Sequence, residues 1–352
     1  MRDRIRGGRY KYDSQVPRQS GYPITQEVPM KTRLSIASTI IAVAFALIET
    51  AFAQPYPSKP IKLVVPYPPG GSTDILARLL AERMSANLGQ NILVENRVGA
   101  TGVIGAEAVA RSLADGYTIL MGAGGPITQV AAIRRTMPYD SLKDFAPVIL
   151  TARAPKLLVV NPSVPAETPQ ALVAFLKSKQ REVRYGSAGI GSSGHLANEL
   201  LKLSAGVDMT HVPYKGGAQA ITDLIAGHID VVMEVIPQLL PLVRGGKIRA
   251  LAISSATRTP LLPGTPTLAE SGFPGYESYT WFGILAPAGT PSAIVEQLNG
   301  EFAKVLTTPE LKKRLEDLGA EFVPNTPVEY AKFLREDLEK WRRVVQQAGI
   351  KE

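Results

Sequence analysis

Residues 61–74 read IKLVVPYPPGGSTD, and this stretch decides the fold. Ile61 to Val65 have the aliphatic composition of a strand that is covered on both faces. The prolines that follow end the strand, because proline cannot donate to the hydrogen-bond ladder of a sheet. Two glycines then let another group approach the backbone, and a Ser-Thr pair can cap the next helix. The stretch therefore predicts a strand, a glycine turn and a helix start whose unpaired N–H groups suit an anion.

Length and composition fit a globular protein of one large or two medium domains. The chain has 352 residues, of which 45% are hydrophobic and 20% charged. It contains no cysteine. Disulfides, thiolate catalysis and cysteine-ligated zinc are therefore excluded.

The first 53 residues have the pattern of an export signal rather than of a fold. A short basic segment precedes an apolar run over 34–48, and Ala-Phe-Ala at 51–53 fits the small-x-small rule for cleavage. We predict a secretory signal peptide over 30–53, cleaved near Ala53, and a periplasmic mature chain. A membrane anchor is the alternative, but the apolar run is short and Glu49 interrupts it. Residues 1–29 are predicted to be a non-native or disordered extension.

Charge gives no indication of nucleic-acid binding. Removing residues 1–53 takes away eight basic and four acidic residues, so the formal net charge falls from +8 to +4. The remaining Lys and Arg are scattered, without a basic run or an aromatic-rich RNA motif. A mild positive balance favours anionic small molecules, though only weakly.

Strands and helices alternate along the chain, which predicts an α/β protein with mostly parallel sheets flanked by helices. After the first strand–helix unit the pattern restarts with a strand predicted at Lys156 to Val160. We expect two lobes: residues 54–156 with 277–352 form lobe 1, and residues 157–276 form lobe 2. A site is expected in the cleft where strand ends of both lobes face each other.

A second glycine-rich stretch, GSAGIGSSGH at 186–195, resembles the first in pattern. It contains G-x-G-x-x-G, but three residues separate this motif from the preceding strand, and Asp208 follows too soon for a ribose contact. We therefore predict no dinucleotide and no other cofactor. A nucleophile elbow would need one more residue between the glycines, so a serine hydrolase using Ser192 or Ser193 is the alternative with less support.

Other polar residues give weaker indications. The histidines at 195, 211 and 228 lie on different elements without metal-ligand spacing, so no metal site is predicted. Tyr214 and Lys215 belong to a third strand-to-helix turn, where Lys215 is either a surface charge or a cation near the cleft. Glu234 ends a strand and should point toward the cleft, where it could accept from a ligand amine or order a loop.

Together these segments resemble the tripartite tricarboxylate transporter receptor family, also called Bug or TctC proteins. The resemblance covers nearly all of residues 55–350, and the motifs occur in one order. They are YPSKPI at 56–61, VPYPPGGSTD at 65–74, NRVGATG at 96–102, DGYTIL at 115–120, YGSAGIGSSGH at 185–195, VPYKG at 212–216, PTLAE at 266–270 and WFGILAPAGTP at 281–291.

The resemblance implies a two-lobed periplasmic binding protein fold, type II-like, and no enzymatic activity. It implies a receptor that captures a small organic carboxylate (a di- or tricarboxylate, an aromatic acid or an amino acid) and delivers it to integral membrane subunits. We expect a monomer. The candidate ligand-binding residues are Tyr67, Gly70, Gly71, Ser72, Thr73, Asp74, Thr128, Gln129, Ser187, Gly189, Gly191, Ser192, His195, Tyr214 and Glu234.

The chain departs from the family pattern at three places, and an alternative role stays open. Gly125-Pro126-Ile127 stands where members often carry Thr-His, Gln219 where proline is frequent, and Glu234 where aspartate is common. These positions shape the floor of the pocket, so the far end of the ligand stays undefined. A receptor that presents its ligand to a signalling partner would share the same fold.

Overall fold

The computed structural model describes residues 56–179 and 182–351, and the structural statements below concern these residues. The predicted signal peptide, its cleavage near Ala53 and the extension 1–29 lie outside them. The described part is an α/β protein whose strands form a 9-stranded sheet with the order β2-β1-β3-β9-β4-β7-β5-β6, and β8 pairs with β4.

The chain begins with the strand–turn–helix unit that the sequence predicts. β1 lies between β2 and β3 and runs parallel to both. Its residues Ile61, Leu63 and Val65 are fully buried, because helices cover the sheet. The elements are β1 (Ile61–Val65), α1 (Ser72–Leu88), β2 (Ile92–Asn96), a 3-10 turn (Ala100–Gly102), α2 (Val103–Ala110), β3 (Thr118–Ala123), a π-helical turn (Gly125–Gln129) and α3 (Val130–Ile133).

The second half of the sheet repeats the alternation. Its central strand β5 runs parallel to β6 and β7. The elements are β4 (Phe145–Val160), α4 (Pro169–Lys179), β5 (Arg184–Ser187), α5 (Ser193–Ala205), β6 (Thr210–Pro213), α6 (Gly217–Ala226), β7 (Val231–Val235), α7 (Ile236–Arg244) and β8 (Arg249–Ile253).

The chain then returns to the first half. β9 (Tyr279–Pro287) inserts antiparallel between β3 and β4, and α8 (Ser292–Leu306), α9 (Pro309–Asp317) and α10 (Pro327–Ala348) follow. We call β1, β2, β3, β9 and the start of β4 the first lobe, and β5 to β8 with the end of β4 the second lobe.

β4 connects the lobes, and its start differs from the sequence prediction. Residues 145–155 pair with β9, whereas residues 156–160 pair with β7 and β8. The prediction began this strand at Lys156 and was wrong, because Pro147 and Pro155 make the preceding stretch unlike a strand. The structure accommodates it with register shifts between Pro147 and Ile149 and between Leu150 and Ala152. The predicted lobe boundary after residue 156 lies on this strand and stays a prediction.

The last helix, α10, touches both lobes. It begins with a capping box in which Thr326 and Glu329 exchange hydrogen bonds, as expected for Thr-Pro-x-Glu. Tyr330 and Leu334 join a core cluster of the first lobe, whereas Trp341 packs with Leu196 of α5. The helix that the sequence predicts outside the sheet therefore also braces the second lobe.

Candidate functional site

The turn after β1 is closed by a carboxylate of its own. Asp74 Oδ2 accepts from the Gly70 N–H at 2.9 Å and from Arg78 Nε at 3.0 Å, and Oδ1 accepts from Asn96 Nδ2 at 2.9 Å. Asn96 Nδ2 also donates to the Tyr67 carbonyl at 3.0 Å. Burial acts to raise the pKa of Asp74, but the hydrogen bonds from Arg78, Gly70 and Asn96 lower it to about 2. The Asp74 carboxylate therefore stays ionised and holds the turn, and it also takes up the Gly70 N–H.

The helix that follows this turn starts without a side-chain cap. Its N-cap residue Gly71 has an extended backbone and no side chain that could accept from the N–H groups of the first turn. The N–H groups of a first helical turn have no partner inside the helix. Gly71 is exposed and Ser72 is half-buried. The start of α1 therefore presents open donors at the end of the sheet.

Three glycine-bearing segments of the first lobe meet beside this turn. The Tyr67 hydroxyl lies so close to Gly125 that a Cβ there would collide with it. The Thr101 carbonyl oxygen would lie 3.4 Å from the same Cβ. Burial raises the pKa of Tyr67 above its ordinary value, so its hydroxyl keeps its proton. Position 125 favours glycine because the turn after β1 and the π-helical turn touch there.

The π-helical turn presents one satisfied and one unsatisfied polar side chain. Thr128 Oγ1 lies 2.6 Å from Asp337 Oδ2 of α10, so this hydroxyl is directed at the C-terminal helix. Gln129 is fully buried, and within the described chain neither its amide oxygen nor its nitrogen has a hydrogen-bond partner. Buried amides without partners are costly, so Gln129 has hydrogen-bonding capacity to offer a ligand or water.

The glycine-rich loop of the second lobe uses several of its own donors. Gly189 and Gly191 have φ values of 112° and 76°, which favour glycine. The Gly191 N–H donates to His195 Nδ1 at 3.2 Å, and the Gly189 N–H donates to Ser187 Oγ at 3.2 Å. Ser192 caps α5 by accepting from the His195 N–H at 3.3 Å. The first-turn donors of α5 that remain open are those of Ser193 and Gly194.

Two histidines stack behind this loop. The rings of His195 and His211 lie 4.1 Å apart, and Tyr185 stacks on His211 at 4.8 Å. His211 Nε2 is 2.7 Å from Ser187 Oγ. Burial lowers the pKa of His195 to about 4, and burial together with the neighbouring His195 lowers the pKa of His211 to about 3. Both rings are therefore neutral near pH 7.

Sequence reasoning missed His211 as part of this group. The available signal was strand adjacency, because Tyr185 on β5 is in register with His211 on β6. Residues in register on neighbouring parallel strands project from the same face.

The two lobes touch beside the second loop. Ser193 Oγ lies 3.0 Å from Thr280 Oγ1 of β9. A Cβ at Gly191 would lie 3.2 Å from Val130 and 3.3 Å from Ile133, both on α3. Because α3 continues the π-helical turn that meets Tyr67, contacts link the turn after β1, the π-helical turn and the glycine loop of the second lobe.

The remaining predicted site residues lie at the ends of the second-lobe strands. Tyr214 donates its hydroxyl to Asp223 Oδ2 at 2.7 Å, and Lys215 is exposed. Glu234 is buried at the end of β7, close to the first turns of α5 and α6. Burial raises the pKa of Glu234, opposed by Lys156 and by the Val235 N–H.

Two pockets lie elsewhere on the surface. One of about 430 Å³ is lined by Pro155, Tyr279 and the 255–261 segment, and one of about 370 Å³ lies beside Glu167 and Arg258. None of the predicted ligand residues lines either pocket. The start of α1 carries open N–H donors, and the unpaired amide of Gln129 lies in the π-helical turn that contacts Tyr67.

Two α/β lobes joined by β4 and β9, with helix starts of both lobes at the strand ends, define a two-lobed periplasmic binding protein fold. The comparisons with known proteins agree. A sequence model described as "Tripartite tricarboxylate transporter family receptor" matches residues 76–350. The chain belongs to this family.

Relatives are similar over most of their length. The protein BugT of Bordetella pertussis is 36% identical over 321 residues, which are 91% of this chain and 98% of BugT. A structure from R. palustris with adipate is 40% identical, with a TM-score of 0.78, covering 84% of this chain and 99% of that chain. MatC from Rhodopseudomonas palustris with bound malate is 34% identical, with a TM-score of 0.74, covering 82% of this chain and 100% of that chain.

Two surveys of the described residues complete the description of the site. No helix among them is long and apolar enough to cross a membrane. They also contain no group of three or more His, Asp or Glu side chains placed to hold a metal ion.

Proposed function

We propose that this chain is a periplasmic receptor that captures a small organic carboxylate between its lobes and delivers it to membrane subunits of a tripartite transporter. The family supports the receptor role, and the similar structures with adipate and malate support the ligand class. The observation that carries the proposal is the uncapped start of α1, and the contacts of Tyr67 with Gly125 and of Gly191 with α3 support it.

Backbone donors can supply the affinity that a receptor needs. A hydrogen bond to a charged group contributes roughly 1.5–3 kcal/mol. Micromolar binding needs about 8 kcal/mol. Four or five such bonds reach that value after the cost of ordering, without a buried arginine. A cage of neutral donors also avoids an unpaired protein charge when the cleft is empty.

We propose that the donors which hold the carboxylate are the open N–H groups at Gly71, Ser72 and Thr73, facing those at Ser193 and Gly194. Asp74, His195 and Ser187 position these donors rather than bind the carboxylate themselves. Their polar atoms already hold Gly70, Gly191 and Gly189 within the turns. Gln129 completes the cleft with its free amide. The other candidates shape the walls: Tyr67, Thr128, Ser192, Tyr214 and Glu234.

The lobes close by a hinge near residues 154–157 and 270–282. Support comes from β4, which exchanges β9 for β7 and β8 between Pro155 and Lys156. Ser254 ties the two crossing strands: its hydroxyl accepts from the Lys156 N–H at 2.8 Å, and its carbonyl accepts from the Ser278 N–H at 2.9 Å. We assign residues 54–156 and 277–352 to one lobe and 157–276 to the other.

We propose that the chain has no hydrolase activity. A nucleophilic serine needs a base on its hydroxyl and a third group that orients the base. Ser192 instead accepts from the His195 backbone, and His195 Nδ1 is taken by the Gly191 N–H. Ser193 pairs with Thr280. A variant with Ser192→Ala and Ser193→Ala is expected to hydrolyse generic esters no differently from the wild type.

Calorimetry of the mature chain with a panel of organic acids tests the receptor proposal. The panel contains C4–C8 mono- and dicarboxylates, aromatic acids and amino acids. We expect at least one acid to bind with a dissociation constant near micromolar and to raise the melting temperature. A folded protein that binds none of them would contradict the proposal.

A further inference from the structure

Glu234 is a buried carboxylic acid in the wall of the proposed site, and one of its oxygens has no hydrogen-bond partner among the described residues. Oε2 accepts from the Val235 N–H at 3.4 Å. No donor in the described parts of the chain forms a hydrogen bond to Oε1. A Cβ at Gly217 would lie 2.9 Å from Oε1, and one at Gly194 would lie 3.4 Å from it. The carboxyl group therefore occupies the space that two missing side chains leave between the first turns of α5 and α6.

The nearest charged groups balance each other. Lys156 is fully buried behind Glu234, at the position where β4 changes its pairing partner from β9 to β7. Its Nζ donates to Ser278 Oγ at 3.2 Å. Asp337 and Lys340 of α10 also act on Lys156 through space. Two acids and two bases give this wall no fixed net charge. A second negative charge on a ligand would therefore meet no dedicated cation here.

The other elements around Glu234 present neutral groups. The histidines of the neighbouring elements, His195 on α5 and His211 on β6, both stay neutral near pH 7. Gln238 on α7 lies close to Gly217 and carries no charge. Lys156, with Asp337 and Lys340 behind it, is thus the charged set that controls the proton on Glu234.

We propose that Glu234 binds the ligand in its protonated form and donates its O–H to a second carboxylate of the ligand. The site then prefers dicarboxylates to monocarboxylates, and binding takes up a proton from solvent. This inference rests on the proposed receptor function and adds the ligand class and the residue that selects it.

The chemistry favours the protonated form once an anion arrives. Two carboxylates that share a site cannot both stay ionised at low cost, so one pKa rises. Burial already raises the pKa of Glu234 before any ligand is present, although Lys156 and the Val235 N–H oppose the shift. The same burial lowers the pKa of Lys156 to about 7, so this lysine does not hold Glu234 firmly ionised. An O–H donor then replaces a repulsive charge with a hydrogen bond.

Three probes of equal chain length distinguish the possibilities: adipate, hexanoate and 6-aminohexanoate, which end in a carboxylate, a methyl group and an ammonium group. A C4–C8 series of the same three types covers other ligand lengths. We expect the dicarboxylate to bind about 10- to 100-fold more tightly than its monocarboxylate, the value of one charge-assisted hydrogen bond. We also expect its affinity to rise as the pH falls from 8 to 6.

Proton uptake is measured on the wild type by calorimetry in buffers of different ionisation enthalpy, so the key result does not depend on a variant. Glu234→Gln should still bind the dicarboxylate, because the amide also donates, but should lose both the proton uptake and the pH dependence. Glu199→Gln is the matched control. It removes another buried carboxyl of the same lobe, which accepts from Tyr185 and pairs with Lys202, and it should keep the uptake.

Each contrary result has a distinct meaning. Equal affinity for mono- and dicarboxylates, or uptake unchanged in Glu234→Gln, overturns this inference while the receptor function stands. Tighter binding of the ω-amino acid overturns it in favour of an ionised Glu234 that pairs with an ammonium group. If no acid of any type binds, the receptor function itself fails.

Discussion

The glycine turns of the first and second lobes have similar sequences but are held by opposite means. In the first lobe a charged side chain, Asp74, accepts from the backbone of its own turn and from Arg78 and Asn96. In the second lobe the partners are neutral: the His195 ring accepts from Gly191, and the Ser192 hydroxyl caps α5. The first helix starts without a cap, and the second starts with one.

This difference separates the tasks of the two turns. A carboxylate that already holds Gly70 leaves α1 open, so its first-turn donors are available to an anion. In the second lobe the cap uses the His195 N–H, and fewer donors remain. We therefore expect the first turn to contribute more to ligand binding, and the second to set how closely the lobes approach.

The largest expected effect comes from removing the charge of Asp74, whose carboxylate holds the first turn. Asp74→Asn keeps the shape of the side chain but removes its charge. It also places an N–H₂ group, itself a donor, among the donor groups of Gly70, Arg78 and Asn96. The loss should be about 3 kcal/mol of unfolding free energy, the value of charge-assisted bonds lost in a buried site. Urea unfolding of the mature chain measures it.

Asp140→Asn serves as the control for this change. Asp140 also accepts from backbone N–H groups, those of Leu142 and Lys143, but in an exposed loop. Asp140→Asn should lower the unfolding free energy by less than about 1 kcal/mol. Equal losses in the two variants would mean that burial of the first turn adds nothing.

As the pH falls, the second turn, which neutral side chains hold, should lose its contribution to stability before the first turn does. The folded pKa values of His195 and His211 lie below the ordinary 6.5. Below pH 6.5 the unfolded chain therefore binds protons that the folded chain does not, and stability falls. Asp74, whose folded pKa is about 2 against 3.8, loses its contribution only below about pH 4.

Between pH 6.5 and 5.5 we expect a loss of about 2 kcal/mol from the two histidines together, since each proton changes stability by up to about 1.4 kcal/mol per pH unit. Denaturation at several pH values measures this slope. His211→Gln should make it shallower. His228→Gln, which alters an exposed histidine, should not. The same slope in both variants would contradict the assignment.

The sequence predicted what is local and missed what is brought together by the sheet. The strand, glycine turn and helix start at 61–74 follow from composition and are confirmed. The predicted Ser-Thr cap is wrong, because Gly71 is the N-cap residue and Ser72 already lies in the helix. The sequence did not predict the form of residues 125–129, which make a π-helical turn before α3. The contact of Thr128 with Asp337 spans 209 positions, and nothing local indicates it.

The roles within the turns were also beyond sequence reasoning. Asp74 was predicted as a ligand residue from the family resemblance, and the structure shows that its carboxylate accepts from Gly70, Arg78 and Asn96. Which atoms of a glycine turn stay open depends on where neighbouring strands place their polar side chains. Asn96 comes from β2, and this pairing is known only once β1 and β2 are in register.

A smaller effect should come from a methyl group between the lobes. Gly191→Ala adds a Cβ at 3.2–3.3 Å from Val130 and Ile133, at a φ of 76°. Gly206→Ala adds one at a φ of 62° with no atom within 4 Å, so both variants carry similar backbone strain of about 1 kcal/mol.

Ligand affinity separates these two variants. Gly191→Ala should weaken carboxylate binding about tenfold by keeping the lobes apart, a difference of about 1.4 kcal/mol. Gly206→Ala should leave affinity unchanged. Calorimetry with the best acid of the panel measures both, and equal affinities would mean that closure does not bring Gly191 against α3.

The smallest effect is also the most direct comparison, because it gives the first turn the cap of the second. Gly71 has φ −76° and ψ 167°, a conformation that serine adopts readily, and a Cβ there would meet only the Pro68 carbonyl at 3.7 Å. Gly71→Ser should stabilise the empty protein by a few tenths of a kcal/mol, since serine is a slightly better N-cap than glycine. Its hydroxyl would then occupy the N–H groups that the ligand carboxylate needs, so affinity should fall several-fold while stability rises. Thermal melts with and without the acid measure both quantities, and unchanged affinity in a stabilised variant would show that the open start of α1 does not hold the carboxylate.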